Sequence, residues 1–161
     1  VTDPGSAYQM VSMLRGAVLR GTGKLINKIN KNLAGKTGTT NSNTDAWFVG
    51  FSSDLVAGVF VGFDQPMSLG EKETGSSVSA PIFRDFMKNA LEKKPDVPFR
   101  RPPGIKLIKV DPKTGLISKL EDKNFIFEAF KPGQLPNFTT DLNIIDVYNP
   151  KNSIKKLSPL Y

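Results

Sequence analysis

Residues 34–63 read AGKTGTTNSNTDAWFVGFSSDLVAGVFVGF, and they contain the clearest strand signals of the chain. It predicts three strands, at about 32–39, 46–52 and 55–63, because apolar runs alternate with turn-forming Asn, Ser and Asp. Ser52-Ser53-Asp54 is short enough for a hairpin turn between the second and third strands. The run from 55 to 61 lacks polar alternation, which predicts that both of its faces are covered. A three-stranded meander is the simplest arrangement.

A helix is predicted on each side of these strands. Thr2 or Asp3 can cap the first helix, Pro4 suits its first turn, and Gly21-Thr22-Gly23 ends it. The second helix is predicted at about 79–93, with Ser79 and Pro81 at its start. Its apolar stripe, which is predicted to be core, contains Phe83, Phe86 and Met87. The fold class is therefore α+β, with helices that cover an antiparallel sheet.

Composition excludes several kinds of chemistry. The 161 residues include no His and no Cys, which rules out Ser-His-Asp and Cys-His catalysis, His or Cys zinc sites and disulfides. The net charge of +7 is scattered rather than clustered, so nucleic acid is not the expected partner. No apolar run approaches the roughly 20 residues of a membrane span, and no signal peptide is evident. The opening at Val1 suggests a piece of a longer protein.

The composition changes near residue 95, where prolines become frequent. We expect a first domain at 1–94, a Pro-rich linker at 95–104 and a C-terminal extension at 105–161. The extension holds short extended stretches at 105–110, 115–120 and 125–130. Its pattern fades beyond Pro136.

The segment whose side chains could take part in binding or catalysis is the end of the first strand. Side chains alternate along a strand, so Thr37 and Thr39 share one face, where two hydroxyls can bind a carboxylate. Lys36 adds a positive charge. Gly38 has no side chain and lets an extended peptide lie against the strand, and Gly35 allows a similar approach. The sequence predicts a cradle for an extended anionic peptide.

The tripeptide Lys-Thr-Gly is by itself a weak signal, because it occurs a second time at Lys113-Thr114-Gly115. That copy follows Asp-Pro and has Leu116 where the first has Thr39, so it is interpreted as a turn. Context must separate the two.

The context of the first copy resembles a known family. Residues 34–40 followed by Asp45-Ala46-Trp47-Phe48 are similar to the third active-site motif of penicillin-binding proteins and its next strand. Further matches follow in order: Gly21-Thr22-Gly23, Val61-Gly62-Phe63-Asp64, Leu69-Gly70, Thr74-Gly75, Ala80-Pro81-Ile82-Phe83 and, more loosely, residues 128–133. The variant Asp-Ala-Trp-Phe resembles the class A, bifunctional, high-molecular-weight branch. A monofunctional carboxypeptidase or β-lactamase relative fits it less well.

The resemblance implies a fold and a set of site residues. The fold would be the C-terminal part of a transpeptidase domain, three strands of a five-stranded α/β/α sandwich. Lys36 would set the local potential, Thr37, Gly38 and Thr39 would bind the carboxylate of a stem peptide or β-lactam, and the Thr39 N–H would be an oxyanion-hole donor. Thr22 and Trp47 are candidates to line the cleft, although core packing explains Trp47 better. No metal or cofactor is implied.

The sequence also departs from the family pattern. In the family a serine nucleophile and its base precede Lys-Thr-Gly. Here the only S-x-x-K match is Ser153-Ile154-Lys155-Lys156, which is downstream and without helix signals, and no S-x-N exists. The chain is therefore expected to be inactive alone. The alternative is a non-catalytic binding or assembly module derived from this fold.

The resemblance implies a cell-wall role for the whole protein. It would cross-link peptidoglycan at the periplasmic face of the bacterial inner membrane, held by an N-terminal anchor absent from this chain, and be bifunctional with a glycosyltransferase. Three strands cut from five expose an edge and an apolar face. We therefore expect this chain to pair with the missing N-terminal half, dimerise, swap a strand or fold its tail over the gap.

Overall fold

A computed structural model describes residues 2–119 and 121–136 of the chain. Their contacts divide the chain into one compact unit up to Ile105 and another from Lys106 onward. The predicted division into a domain at 1–94, a linker at 95–104 and an extension at 105–161 stays a prediction. The residues at 95–104 make contacts within the first unit, since the Asp96 carboxylate accepts 2.7 Å hydrogen bonds from the backbone and the side-chain amide of Asn32.

The first helix, α1, spans Pro4–Arg20. Its N-cap is Asp3, whose carboxylate accepts a 3.0 Å hydrogen bond from the Ser6 N–H. This bond satisfies one of the free donors of the first turn, where Pro4 has none to satisfy. At the other end the Gly21 N–H donates to the Ala17 carbonyl at 3.1 Å. Both predicted ends of α1 are confirmed.

Three antiparallel strands form the sheet of the first unit in the order β1-β2-β3. They are β1 at Ala34–Thr39, β2 at Asp45–Phe51 and β3 at Val56–Gly62. The predicted hairpin turn is present, since the Ser52 N–H donates to the Leu55 carbonyl at 2.8 Å. The α+β class and the predicted meander are confirmed.

The core lies on one face of this sheet. Phe48 of β2 meets Phe83 of the second helix, α2, at a ring-centroid distance of 4.6 Å, and both side chains are fully buried. The helix spans Ala80–Ala90. The rest of this buried cluster comes from α1, from α2 and its C-cap residue, and from the segment between α1 and β1: Val18, Ile26, Leu33, Ala80, Met87 and Leu91. Two helices thus cover the Phe48 face.

The start of the second helical segment differs from the prediction. A single π-helical turn at Gly75–Ser79 precedes α2 and runs directly into it. Thr74 and Ser77 form a capping box there, in which the Thr74 N–H donates to Ser77 Oγ at 2.8 Å. The pair T-x-x-S satisfies two orphan donors reciprocally, so the segment begins at this cap rather than at Ser79.

Two burial predictions are wrong. The strand β3 is not covered on both faces, because Val56 and Phe60 are 69% and 51% exposed. Phe86 is not core, because it is half exposed, whereas Phe83 and Met87 are buried. Helical spacing predicts that the three side chains lie on one broad face. Phe86 directly precedes Met87, however, so it lies about 100° round the helix from Met87, at the margin of the buried face.

The second unit contains a two-stranded antiparallel sheet, with β4 at Lys106–Val110 and β5 at Ile126–Phe130. Of the extended stretch predicted at 115–120, the described residues contain a single antiparallel bridge that joins Ile117 to Val110. The described part of the chain has no helix long and apolar enough to cross a membrane.

Candidate functional site

The predicted site lies on β1, which is an edge strand in the described sheet. Thr37 pairs with Phe48 and Thr39 with Ala46, so both threonines lie on the helix-covered side of the sheet, as their shared face predicts. Lys36 pairs with Val49 and belongs to the opposite side. The two threonines thus share one face of the strand, and Lys36 belongs to the other.

The Lys36 ammonium reaches over this edge to Thr37. It donates to the Thr37 carbonyl at 3.1 Å and to the Thr37 hydroxyl oxygen at 3.3 Å. Lys36 is exposed, and its charge lies within hydrogen-bond distance of a hydroxyl that can also bind an anion. The structure thus brings together the positive charge and one of the two predicted hydroxyls.

Thr22 lies at the same place. Its hydroxyl oxygen is 2.8 Å from that of Thr37, and either one can be the donor. The segment Gly21-Thr22-Gly23 ends α1, as predicted, and its role in lining a cleft stays a prediction. A hydrogen bond from Ser76 fixes the backbone of this loop, since Ser76 Oγ donates to the Thr22 carbonyl at 2.6 Å.

Thr39 is fixed by the same π-helical turn. The Gly75 N–H donates to Thr39 Oγ1 at 3.0 Å, which leaves the hydroxyl proton of this exposed residue available to another acceptor. Sequence reasoning missed the contributions of Gly75 and Ser76, which come from far along the chain. The capping signature Thr74-x-x-Ser77 was the available signal for an ordered turn there.

The glycines of β1 have different surroundings. A side chain at position 38 would contact the Trp47 indole, with Cβ 3.2 Å from Trp47 Cβ. At position 35 a Cβ would lie 2.8 Å from the Phe48 ring. Gly35 is buried against β2, so its absent side chain serves packing, and its predicted role in ligand approach stays a prediction.

Trp47 is not a core residue. It is 42% exposed and packs against Phe60 of β3, with the two rings tilted by 46° at a centroid distance of 4.7 Å. In the β2 register it alternates with buried Ala46 and Phe48, so it projects from the face opposite the helices. This side of the sheet carries an exposed apolar surface, here named the outer face, which consists of Trp47, Val49, Val56 and Phe60.

The second Lys-Thr-Gly copy is a turn, as predicted. The Asp111 carboxylate accepts 2.8 Å hydrogen bonds from the N–H groups of Lys113 and Thr114, and Gly115 has φ +72°. These donors, with Thr114 first, lower the pKa of Asp111 below its usual range. The same tripeptide therefore forms an edge strand in one context and a loop in the other.

Ser153-Ile154-Lys155-Lys156 lies outside the described residues. Within 2–119 and 121–136 no group of three or more carboxylates could hold a metal ion. The described site is thus made of hydroxyls, one ammonium and backbone amides, which suits recognition of an anion at a strand edge.

These features agree with the comparisons to known proteins. The family model described as the penicillin binding protein transpeptidase domain matches residues 1–88. The chain therefore belongs to the penicillin-binding protein transpeptidase family.

The similar relatives lie in the predicted branch. The chain is 50% identical to penicillin-binding protein 1A of Rickettsia conorii over 81% of this chain and 16% of the relative. It is 42% identical to penicillin-binding protein 1A of Pseudomonas aeruginosa over 88% of this chain and 17% of the relative. The predicted resemblance to the class A branch is thus confirmed. The chain spans about a sixth of the length of these curated relatives.

A solved structure supports the fold. The crystal structure of penicillin-binding protein 1A from Haemophilus influenzae matches with a TM-score of 0.75 and 34% identity, over 86% of this chain and 22% of that one. The α+β arrangement described above is therefore the fold of a transpeptidase piece.

Proposed function

We propose that this chain forms the Lys-Thr-Gly wall of the active site of a peptidoglycan D,D-transpeptidase. The observation that carries the proposal is the contact of Lys36 with Thr37 on an edge strand, with Lys36 Nζ 3.3 Å from Thr37 Oγ1 and Thr39 on the same face as Thr37. In this role Thr37 and Thr39 bind the carboxylate of a stem peptide or of a β-lactam. Lys36 supplies the positive potential that favours that anion.

The ladder between β1 and β2 supports a second role, for the backbone of Thr39. The Thr40 N–H donates to the Asp45 carbonyl at 3.1 Å, so it points toward β2. Backbone groups of successive strand residues point to opposite sides, and the Thr39 N–H is therefore directed to the open edge. A free N–H at that position suits an oxyanion-hole donor, and it stands beside Gly38, where a ligand backbone meets no side chain.

The outer face supports the proposed partner within the whole protein. Its exposed aromatic and branched side chains form a surface of the kind that packs against another layer. We assign this cover to the rest of the transpeptidase domain, which would supply the serine nucleophile, its base and the second oxyanion donor. The whole protein would act at the extracytoplasmic face of the inner membrane, as the class A resemblance implies.

Acylation by a penicillin tests this function. In the full-length protein that carries this chain, a penicillin should form a stoichiometric adduct by intact mass, and Thr37→Val should slow its formation about tenfold or more. No adduct on the full-length protein would contradict the function and favour the non-catalytic module. The chain of 161 residues by itself should form no adduct. An adduct on it would show that one of its own serines, with Ser153 the first to map, is the nucleophile.

A further inference from the structure

The hydrogen bond between the hydroxyls of Thr22 and Thr37 can run in either direction, with Thr22 or Thr37 as the donor. The two oxygens are 2.8 Å apart, and each hydroxyl has one proton and two acceptor positions. The Thr37 oxygen also accepts from the Lys36 ammonium at 3.3 Å. In the part of the chain that the structure describes, the Thr37 proton thus has only the Thr22 oxygen as a protein acceptor.

A bound carboxylate determines which of the two hydroxyls donates to the other, because an ionised carboxylate only accepts hydrogen bonds. To bind it, Thr37 must turn its proton toward the ligand and away from Thr22. Thr22 then becomes the donor to the Thr37 oxygen and fills its second acceptor position. Donation into a hydroxyl oxygen polarises its O–H bond and strengthens the bond that it donates.

We propose that Thr22 is a positioning residue for carboxylate recognition, which donates its hydroxyl proton to Thr37 and so directs the Thr37 proton to the ligand. This inference rests on the proposed function, in which Thr37 contacts the carboxylate.

The fold holds Thr22 in place for this task. Its loop follows the end of α1, where the Gly21 and Gly23 N–H groups both donate to the Ala17 carbonyl at 3.1 and 3.0 Å. From the other side, Ser76 Oγ donates to the Thr22 carbonyl at 2.6 Å. The Gly75 N–H of the same turn donates to Thr39 Oγ1. One π-helical turn thus supports both Thr22 and Thr39. The Thr22 hydroxyl is therefore presented by two fixed backbone segments.

The test uses the full-length protein and the second-order rate of acylation by a penicillin. Thr22→Val keeps the side-chain volume and removes the hydroxyl, and it should lower the rate about tenfold, the effect of one lost hydrogen bond on a charged group. Thr22→Ser keeps the hydroxyl and removes a methyl group, and it should retain most of the wild-type rate. A packing role would reverse this order, and that reversal, or a Thr22→Val rate equal to wild type, would overturn the proposal.

A double-mutant cycle separates an effect through Thr37 from direct contact with the ligand. In a Thr37→Val background, Thr22→Val should change the acylation rate less than about twofold, because the oxygen that it donates to is gone. An equal loss in both backgrounds would contradict the positioning role. Thr114→Val, in the second Lys-Thr-Gly copy, is the matched control and should react like wild type. If wild-type protein forms no adduct, the proposed function fails and this inference fails with it, whereas a wild-type adduct with an unchanged Thr22→Val rate overturns this inference alone.

Discussion

The backbone N–H of Gly75 donates a 3.0 Å hydrogen bond to the hydroxyl oxygen of Thr39, 36 residues earlier in the chain. The contact needs a glycine, because a Cβ at position 75 would lie 2.5 Å from the Gly38 carbonyl oxygen and would also collide with the Trp47 carbonyl. The turn that leads into α2 is thus pressed against the backbone of the predicted ligand-binding strand. Packing and site geometry are coupled at this point.

Gly75→Ala should destabilise the chain by about 2 kcal/mol or more, since the new methyl group meets backbone rather than a movable side chain. Urea denaturation of wild type and variant measures the difference. Gly58→Ala is the matched control, because its Cβ would make only ordinary contact, 3.8 Å from Val49 Cγ2. It should change stability by less than about 0.5 kcal/mol. Equal effects at both positions would contradict the close packing at Gly75.

The two phenylalanines of α2 should respond differently to truncation. Phe83→Ala removes a fully buried ring that packs on Phe48, and it should cost about 3–5 kcal/mol. Phe86→Ala removes a ring that is 50% exposed, and it should cost less than about 1 kcal/mol. Denaturant unfolding of both variants gives the comparison. Similar losses would mean that Phe86 is buried in solution, as the helical spacing alone predicts.

The outer face should drive association of the isolated chain. Sedimentation velocity over a range of concentrations should show dimers or larger species, and Phe60→Ser should shift the distribution toward monomer because it removes an exposed ring from this surface. Met13→Ser, on α1, is the control, since Met13 is equally exposed at 54% but lies outside the outer face. A wild-type chain that remains monomeric throughout would argue against this expectation.

The Asp111 turn should depend on pH. Because the N–H groups of Thr114 and Lys113 lower the pKa of Asp111 in the folded state, the carboxylate stabilises the turn above the usual aspartate range. That contribution is lost as the pH falls through the lowered folded-state value. The amide chemical shifts of Lys113 and Thr114 in an NMR titration should follow this loss, and Asp111→Asn should abolish the dependence. A midpoint at or above the usual range would contradict the assignment.

Much of the fold could be predicted from local signals. The Asp3 cap with Pro4, the turn at 52–54 and the alternation of Thr37 and Thr39 each depend on residues close together in the chain. Errors arose where burial was inferred from composition. The errors concern the apolar side chains of Trp47, Phe86 and β3. Their exposure depends on how many layers cover the sheet, and no local sequence pattern indicates the number of layers.

The family, the three strands and the residues of the Lys-Thr-Gly edge could all be predicted from the sequence, because motif order and strand periodicity are properties of neighbouring residues. Local patterns do not reveal which distant groups support that edge, and only the packing of the folded chain shows them. Thr22, Gly75 and Ser76 reach that edge through the ends of two helical segments that pack together with β1. Their hydrogen bonds join positions 15, 36 and 54 residues apart, a separation that chain packing alone can close.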